Sequence, residues 1–256
     1  MLVKKIHFTF DKSKKSQNLK NIILKKYNNY SASKADLIIV AGGDGYMLKN
    51  LKKYYKYEKP FYGINCGTFG FLMNRLSHTN LFKKIEKATE TIINPLELTT
   101  VEKKNIKKKI IAINEVSLFR QSRQTVSLSL KIGKKTMIKK LIGDGILVST
   151  PAGSTAYNLS VHGPILSLNS KKIAVTPISP FRPRRLKGKA VSDKSIIVIK
   201  NLNPIKRPVA AVADNYEIRN IKLLTIKVNK SIKIKLLYDK GRTLTKRIKI
   251  EQLRKV

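Results

Sequence analysis

The segment from Asp36 to Leu48, D-L-I-I-V-A-G-G-D-G-Y-M-L, constrains the fold more than any other stretch of the chain. An apolar run rich in β-branched residues ends at two glycines, and a helical pattern starts at Met47. Such a run followed by glycine is typical of a buried strand in a parallel sheet, and ligands bind at the carboxyl ends of those strands. We therefore expect a strand, a tight loop and a helix, with Asp44 at the rim of a ligand-binding crevice.

The glycines of this loop are candidates for binding phosphate. Gly42, Gly43 and Gly45 can adopt positive φ and let a ligand approach the backbone, while the following helix presents unpaired N–H groups to an anion. The loop matches neither the lysine-containing phosphate loop nor the dinucleotide fingerprint. A carboxylate here repels phosphate unless it binds metal or takes up a proton. Asp44 therefore indicates a chemically active site and not simple phosphate binding. An ordinary strand-to-helix turn is the alternative.

Strand and helix patterns alternate through the first 95 residues. Strands are predicted at Leu2–Phe10 and Pro60–Asn65, and helical spacing occurs in Ser16–Tyr27 and from Leu81 to Ala88. A second glycine loop, C-G-T-F-G-F-L at 66–72, follows the third strand. This alternation predicts a Rossmann-like α/β domain with a parallel sheet and right-handed crossovers.

Beyond Pro95 the pattern changes to many short strands, and only Ser154–Val161 has helical character. Strands are predicted at 96–101, 110–119, 125–132, 136–142, 146–150, 173–178, 195–200, 209–212 and 223–237. Many short strands in succession predict an antiparallel, sandwich-like β-rich domain. We place the α/β domain at 1–95, the β-rich domain at 96–243, and a tail at 244–256 that packs back on the body.

Composition limits the class of protein. The chain has 256 residues, an ordinary hydrophobic content of 42% and one cysteine, Cys66, which fits a reducing compartment. No apolar run approaches the roughly 18 residues that span a bilayer, and the first residues lack the apolar core of a signal peptide. We expect a cytoplasmic protein that does not span a membrane.

The formal net charge of +39 raises a different class of function, DNA or RNA binding. Lysines occur in nearly every segment and do not mark one stripe, which favours a compositional bias over a specific nucleic-acid interface. The excess charge still attracts anionic nucleotides, an effect that salt screens.

Two polar constellations fall in the β-rich part. Asn114-Glu115 interrupts an apolar strand, and because a buried amide or carboxylate needs partners, the pair either serves ligand hydroxyls or marks a strand end facing water. The stretch 143–165 places Asp144 between glycines and then crowds hydroxyl groups before a short helix, which Ser154 or Thr155 is placed to cap. With Tyr157, these groups suit a nucleoside; a loop with a capped helix is the alternative.

Together these motifs resemble the ordered motif set of the bacterial NAD kinases. They are G-G-D-G at 42–45, G-T-F-G-F-L at 67–72, N-E at 114–115 and G-D-G-I-L-V-S-T-P-A-G-S-T-A-Y-N at 143–158, extended by S-P-F-R-P-R-R at 179–185 and V-A-D-N at 212–215. G-G-D-G also occurs in phosphofructokinases and in diacylglycerol and sphingosine kinases, whereas the S-T-P-A-G-S-T-A-Y segment points to the NAD kinases. A lipid kinase that shares G-G-D-G and a basic nucleic-acid-binding protein are the alternatives.

The resemblance implies an enzyme that transfers the γ-phosphate of ATP, or of another donor such as polyphosphate, to the 2'-hydroxyl of the adenosine ribose of NAD. It implies Mg2+ or another divalent metal with ATP, an NAD site between two domains, and a homodimer or homotetramer. It implies no specific nucleic-acid partner and no membrane. The choice between NAD and NADH stays open.

The same resemblance implies roles for individual residues. Asp44 would be the catalytic base, and no protein metal ligand is assigned. The phosphate or ATP loop would comprise Gly42, Gly43, Asp44, Gly45, Gly67 and Phe69. The NAD-binding residues would be Gly45, Asn114, Glu115, Asp144, Thr155, Ala156, Tyr157, Ser160 and Asp214. For Arg182, Arg184 and Arg185 the alternatives are phosphate binding and a subunit interface; an interface or surface role is favoured, because no spacing argument assigns them to ATP.

Overall fold

A computed structural model describes residues 4–68, 70–76, 80–102 and 107–241. The helices within these ranges are α1 (Lys14–Leu24), α2 (Asp44–Tyr54), α3 (Leu81–Glu86) and α4 (Tyr157–Ser160), with short 3-10 turns at Tyr55–Tyr57 and Ala152–Thr155. The strands are β1 (Ile6–Phe10), β2 (Leu37–Gly42), β3 (Phe61–Asn65), β4 (Asn74–Arg75), β5 (Thr89–Ile93), β6 (Leu96–Glu102), β7 (Lys107–Ala112), β8 (Glu115–Arg120), β9 (Val126–Ile132), β10 (Lys135–Gly143), β11 (Gly145–Ser149), β12 (Lys172–Ile178), β13 (Lys189–Ser192), β14 (Ile197–Asn201), β15 (Val209–Ala213), β16 (Tyr216–Ile218), β17 (Ile221–Val228) and β18 (Ile234–Tyr238).

The chain divides into two compact units, 1–93 with 232–256, and 94–231. A sheet in the order β1-β2-β3-β18-β5, with β4 beside β3, forms the first unit. The strands β1, β2, β3 and β18 run parallel, while β5 is antiparallel to β18. The predicted α/β class with a parallel sheet is therefore confirmed.

Local sequence explains why the first elements of this unit form. All six residues of β2 are buried, as its continuous apolar run requires. Helix α1 begins after Ser13, whose side chain accepts a hydrogen bond from the Ser16 N–H, so an N-cap sets its start two residues earlier than predicted. Its buried face carries Leu19 and Ile23, which belong to the same hydrophobic cluster as strands β1 to β3.

The second unit consists of two antiparallel sheets. One has the order β10-β9-β14-β17-β6-β7 and the other β13-β12-β11-β8-β15-β16. A single hydrophobic cluster draws on both sheets, for example on Leu98 and Leu128 from the first and on Val148 and Ile173 from the second. This arrangement confirms the predicted antiparallel, sandwich-like architecture.

The predicted strand 223–237 is two strands, which belong to different units. Strand β17 ends at Val228, and a turn follows in which the Ser231 N–H donates to Asn229 Oδ1 at 3.0 Å. Strand β18 then enters the first sheet between β3 and β5. The β-rich domain predicted at 96–243 thus differs from the observed unit, because β18 pairs with strands more than 140 positions away in the sequence. The predicted tail at 244–256 lies outside the described residues.

The predicted helix 154–161 is also divided. A 3-10 turn at Ala152–Thr155 precedes α4, whose N-cap residue Ala156 makes no side-chain hydrogen bond. Ser154 does not cap this helix; its hydroxyl donates to Pro151 O and accepts from the Leu166 N–H instead. The strands β5, β13 and β16 were not expected from the sequence. None of the helices in the described ranges has the length and apolar character needed to cross a membrane.

Candidate functional site

Asp44 lies at the carboxyl end of β2, as predicted, and is the first residue of α2. Both of its carboxylate oxygens accept backbone hydrogen bonds from the second glycine loop. The Phe71 N–H donates to Oδ2 at 2.7 Å and the Leu72 N–H donates to Oδ1 at 3.0 Å. These two bonds fix the orientation of the carboxylate, and a negative charge in the first turn is favoured by the helix dipole.

The loop glycines do not use positive φ as expected, since the positive-φ glycines among the described residues are Gly133 and Gly241. Gly42 is required for a different reason, because a Cβ there would lie 2.8 Å from Asp11 Oδ2. At Gly43 and Gly45 a Cβ would meet nothing within 4 Å, so the backbone is open to a ligand. The close approach also shows a second carboxylate, Asp11, beside the loop. Its position directly after β1 is the sequence signal that was missed.

The second glycine loop follows β3 at the same edge of the sheet. The Gly67 N–H donates to Asn65 Oδ1 at 3.0 Å, and the Cys66 N–H donates to Gly42 O at 2.9 Å. A Cβ on Gly70 would lie 3.0 Å from Asp44 Oδ1, so the missing side chain lets this loop reach Asp44. The structure therefore brings the two predicted glycine loops together. Phe69, which the sequence also assigns to the loop, lies outside the described residues.

In the second unit, residues 113–115 lead from β7 of one sheet into the start of β8 of the other; this segment, called the reversal below, includes Asn114 and Glu115 and is held by three neighbouring groups. The Asp214 carboxylate accepts from the N–H groups of Ile113, Asn114 and Glu115 at 2.9, 2.8 and 3.3 Å. The Thr150 hydroxyl donates to Ile113 O at 2.8 Å, and the Thr150 N–H donates to Asn114 O at 2.9 Å. The predicted residues Asn114, Glu115 and Asp214 are thus adjacent.

Two of the predicted site residues carry buried oxygens to which no described residue makes a hydrogen bond. Asn114 Oδ1 and Thr155 Oγ1 are both inaccessible to solvent and have no hydrogen-bond partner in the described part of the chain. Buried polar atoms are nearly always hydrogen-bonded, and an exception indicates a missing ligand or water. A Cβ on Gly153 would lie 2.2 Å from Asn114 O, so this glycine allows the 3-10 turn that carries Thr155 to pack against the reversal.

Asp144 lies in the turn between β10 and β11 and forms an ion pair that was not predicted. Arg120 Nε is 2.6 Å from Asp144 Oδ1, and Arg120 Nη1 donates to Ser122 O at 3.0 Å. The ring of Tyr157 packs against that of Phe119, with 5.7 Å between the two ring centres. Burial raises the pKa of Tyr157, and the negative charges of Asp144 and Glu115 raise it further. The phenol therefore keeps its proton at neutral pH and can donate a hydrogen bond.

The remaining predicted residues border this group or carry no contact that identifies a role. Ala156 is half-buried at the start of α4, and Ser160, at its end, is exposed. Arg182, Arg184 and Arg185 are exposed, and the guanidinium carbons of Arg182 and Arg184 lie 5.6 and 5.4 Å from the ring centre of Phe181. Within the described ranges, no cluster of three or more His, Cys, Asp or Glu side chains is arranged to hold a metal ion.

Known proteins match this chain along nearly its whole length. The sequence profile of the ATP-NAD kinase N-terminal domain matches residues 1–94, and that of the ATP-NAD kinase C-terminal domain matches residues 113–239. The chain is 42% identical to the NAD kinase of Rickettsia bellii, over 98% of this chain and 99% of that protein. It is 43% identical to the NAD kinase of Zymomonas mobilis, over 94% of both chains.

Solved structures share the fold. The NAD kinase of Archaeoglobus fulgidus, crystallised with ATP, superposes with a TM-score of 0.76 at 20% identity and covers 96% of this chain and 99% of that one. Yeast NADH kinase in complex with NADH gives a TM-score of 0.76 at 24% identity, over 87% of this chain and 67% of that one. At these identities the two structures support the fold alone. The two domain profiles and the relatives at 42–43% identity cover most of the chain, so the chain belongs to the ATP-NAD kinase family.

Proposed function

We propose that this NAD kinase transfers the γ-phosphoryl group of ATP to the 2'-hydroxyl of the adenosine ribose of NAD, with Asp44 as the base. The observation that supports this role is the fixed Asp44 carboxylate, held by the Phe71 and Leu72 N–H groups at the start of α2. A ribose hydroxyl is a weak acid, and a positioned carboxylate that takes its proton contributes typically about 10² to 10⁴ in rate. The oxygen so activated attacks the γ-phosphorus.

The glycine loop and the start of α2 are proposed to bind the phosphates. Phosphoryl transfer depends mainly on positioning and on neutralising charge at the phosphoryl oxygens. The first turn of an α-helix presents N–H groups without intrahelical partners, and the backbone at Gly43 and Gly45 is open to a ligand. These groups lie beside Asp44, where the transferred group has to be held.

A divalent metal, Mg2+ in the first instance, is proposed to enter with ATP. Mg2+ in nucleotide sites usually takes one or two carboxylates together with substrate phosphates and keeps several waters. Asp11, whose carboxylate lies beside Gly42, fits that mode and leaves Asp44 available as the base; no cluster of three or more His, Cys, Asp or Glu side chains arranged to hold a metal is present among the described residues. The metal would neutralise phosphate charge there.

NAD is proposed to bind through residues of the second unit that the resemblance assigns, Asn114, Glu115, Asp144, Thr155, Ala156, Tyr157 and Ser160, with Asp214 directly beside Asn114 and Glu115. The unsatisfied oxygens of Asn114 and Thr155 support this, because the amide oxygen of Asn114 requires a donor such as a ribose hydroxyl or a base amino group, and the Thr155 hydroxyl can donate to or accept from a ligand. Tyr157 supplies a protonated hydroxyl and an aromatic face. The two alternatives, a lipid kinase and a nucleic-acid-binding protein, gain no support from the relatives.

The test is formation of NADP from NAD, ATP and Mg2+ by the purified protein, read with an NADP-specific dehydrogenase. We expect turnover in the wild type and a loss of about 10² to 10⁴ in kcat for Asp44→Asn, with NAD binding largely intact. Replacing ATP by polyphosphate, and NAD by NADH, identifies the donor and acceptor used. Absence of turnover in every combination refutes the proposal.

We also propose a homodimer or homotetramer, as the resemblance implies, in the cytoplasm, as the composition indicates. Size-exclusion chromatography with light scattering measures the mass of the assembly directly. A mass of two or four chains supports the proposal, and a monomer at enzyme concentrations that sustain turnover contradicts it.

A further inference from the structure

We infer that Asp214 acts through Asn114 and Glu115 as a positioning residue, and that its carboxylate is not a direct contact to NAD. The inference rests on the proposed function, since it concerns how the NAD-binding pair is held. It departs from the role that the resemblance implies for Asp214. The geometry that carries it is the set of hydrogen bonds around the reversal between β7 and β8.

The Asp214 carboxylate accepts hydrogen bonds from the backbone of residues 113–115. Asp214 Oδ1 accepts from the N–H groups of Asn114 and Glu115 at 2.8 and 3.3 Å, and Oδ2 accepts from Ile113 at 2.9 Å. Both oxygens therefore face the backbone of three successive residues. Hydrogen bonds to an ionised acceptor are stronger than neutral ones, so this contact holds the reversal firmly.

The carbonyl oxygens of the same three residues also have hydrogen-bond partners. The Asp214 N–H donates to Glu115 O at 3.1 Å, and the Thr150 N–H donates to Asn114 O at 2.9 Å. The Thr150 hydroxyl donates to Ile113 O at 2.8 Å. All six backbone polar groups from 113 to 115 thus have partners, and Asp214 supplies four of these contacts with its carboxylate and its N–H.

The side-chain oxygen of Asn114 takes no part in these backbone hydrogen bonds. Because the backbone polar groups of residues 113–115 all have partners, they do not need the side chain of Asn114. Asn114 Oδ1 is buried and has no partner among the described residues, so it is set in place for a donor from outside the chain. Asp214 itself sits at φ 53, a left-handed conformation that Asp and Asn tolerate better than most residues. The left-handed conformation of Asp214 in the β15–β16 turn therefore places its carboxylate beside the N–H groups of residues 113–115.

The diagnostic substitution is Asp214→Asn, which keeps the left-handed turn but replaces one acceptor by an NH2 group facing an N–H donor. We expect the KM for NAD to rise about tenfold or more, because a displaced Asn114-Glu115 pair loses its fit to the ligand. The KM for ATP should change by less than about twofold, since the proposed ATP loop lies on other elements. Steady-state kinetics with each substrate varied in turn measures both constants.

The matched control is Asp36→Asn. Asp36 Oδ2 also accepts two backbone hydrogen bonds, from the Lys4 and Lys5 N–H groups at 3.0 and 2.9 Å, but Asp36 precedes β2, at the opposite end of that strand from Asp44, and is not one of the proposed site residues. We expect this variant to lose stability without a change in the KM for NAD. A purely structural role for Asp214 predicts instead that the two variants behave alike in kinetics once compared at equal folded fraction.

Amide hydrogen exchange provides a readout that does not depend on activity. In Asp214→Asn the amides of Ile113, Asn114 and Glu115 should exchange faster than in the wild type, whereas Asp36→Asn should leave them unchanged. Unchanged exchange at these amides overturns the inference, as does a fall in kcat with the KM for NAD unaltered, which places Asp214 at the reacting atoms. If the wild type forms no NADP, the proposed function fails while the exchange experiment still decides whether Asp214 holds the reversal.

Discussion

At Gly70 the absence of a side chain decides how Asp44 is held. A Cβ at this position would lie 3.0 Å from Asp44 Oδ1 and 2.9 Å from Met73 Cγ, which is tighter than ordinary contact. The loop that donates to both carboxylate oxygens can approach only because position 70 is glycine. The orientation of the proposed base therefore depends on a residue that touches no substrate.

Gly70→Ala tests this dependence. We expect kcat for NADP formation to fall about tenfold or more, because the added methyl group displaces the Phe71 and Leu72 donors from the carboxylate. The midpoint of thermal unfolding should also fall, because the methyl group crowds the buried Met73, so kcat is compared at equal folded fraction. Lys49→Ala, an exposed change on α2, is the control and should retain activity. Full activity in Gly70→Ala would show that the loop does not orient Asp44.

Glu97 shows how a buried charge depends on pH. Burial opposes its ionisation, but hydrogen bonds from Lys109, Lys227 and Asn229 outweigh that cost and lower its pKa below the usual value of 4.5. The partner atoms lie at 3.0, 3.3 and 2.8 Å. A carboxyl group with a lowered folded-state pKa contributes stability above its unfolded pKa and loses it as the pH falls through the folded value.

Glu97→Gln should therefore lower the free energy of unfolding at pH 7, and its difference from the wild type should shrink as the pH falls below about 4.5. Urea unfolding at a series of pH values measures the difference. The exposed Glu90→Gln is the control and should show no such pH dependence. A difference that stays constant down to pH 3 would show that the charge of Glu97 is not what stabilises the fold.

At the scale of elements, the return of β18 into the first sheet depends on a buried side chain from another strand. Asn74 is fully buried; its Nδ2 donates to Leu237 O at 2.9 Å and its Oδ1 accepts from the Asp239 N–H at 2.9 Å. The Tyr62 hydroxyl donates to Asp239 Oδ1 at 2.5 Å. These bonds fix the end of β18 in a position that its own sequence does not specify.

Asn74→Ala should lower the free energy of unfolding by about 2–4 kcal/mol, because the buried Leu237 carbonyl and the part-buried Asp239 N–H lose their partners. Urea unfolding followed by circular dichroism measures the loss. The exposed Asn18→Ala on α1 serves as the control and should be close to neutral. Equal stability of the two variants would contradict a role for Asn74 in holding β18.

The elements that could be predicted are those whose signal is local. Strand β2 was identified because its apolar run and its glycines lie within one segment, and Asp44 followed from the same segment. Strand β18 was assigned to the second domain because alternation of apolar residues indicates a strand but not its partner. The contact between Asp214 and Asn114 was missed for the same reason, since it joins residues 100 positions apart.

At the scale of the whole molecule, the net charge of +39 affects every anion the protein meets. Raising the ionic strength from about 0.01 M to 0.15 M shortens the Debye length from about 30 Å to about 8 Å. We expect kcat/KM for NADP formation to fall over this range, because long-range attraction of the anionic substrates is screened.

The same titration separates general attraction from specific nucleic-acid binding. Binding of duplex DNA of unrelated sequences, measured by fluorescence anisotropy, should weaken equally for all of them as salt is added. A DNA sequence that stays bound at physiological salt while the others dissociate would contradict the interpretation that the positive charge reflects a compositional bias and not a specific nucleic-acid interface.

The position of β18 sets an order of events while the chain is being synthesised. The partners of all strands from β6 to β17 are contained within 94–231, so the second unit can close before the first has all its strands. Tyr62 and its partner Asp239 are 177 positions apart. At roughly 5–20 residues per second, β3 waits on the order of ten seconds for its neighbour. During that interval Phe61 and Tyr62 of β3 lack their β18 partner on one side, so the first unit reaches its final form only after β18 has been synthesised.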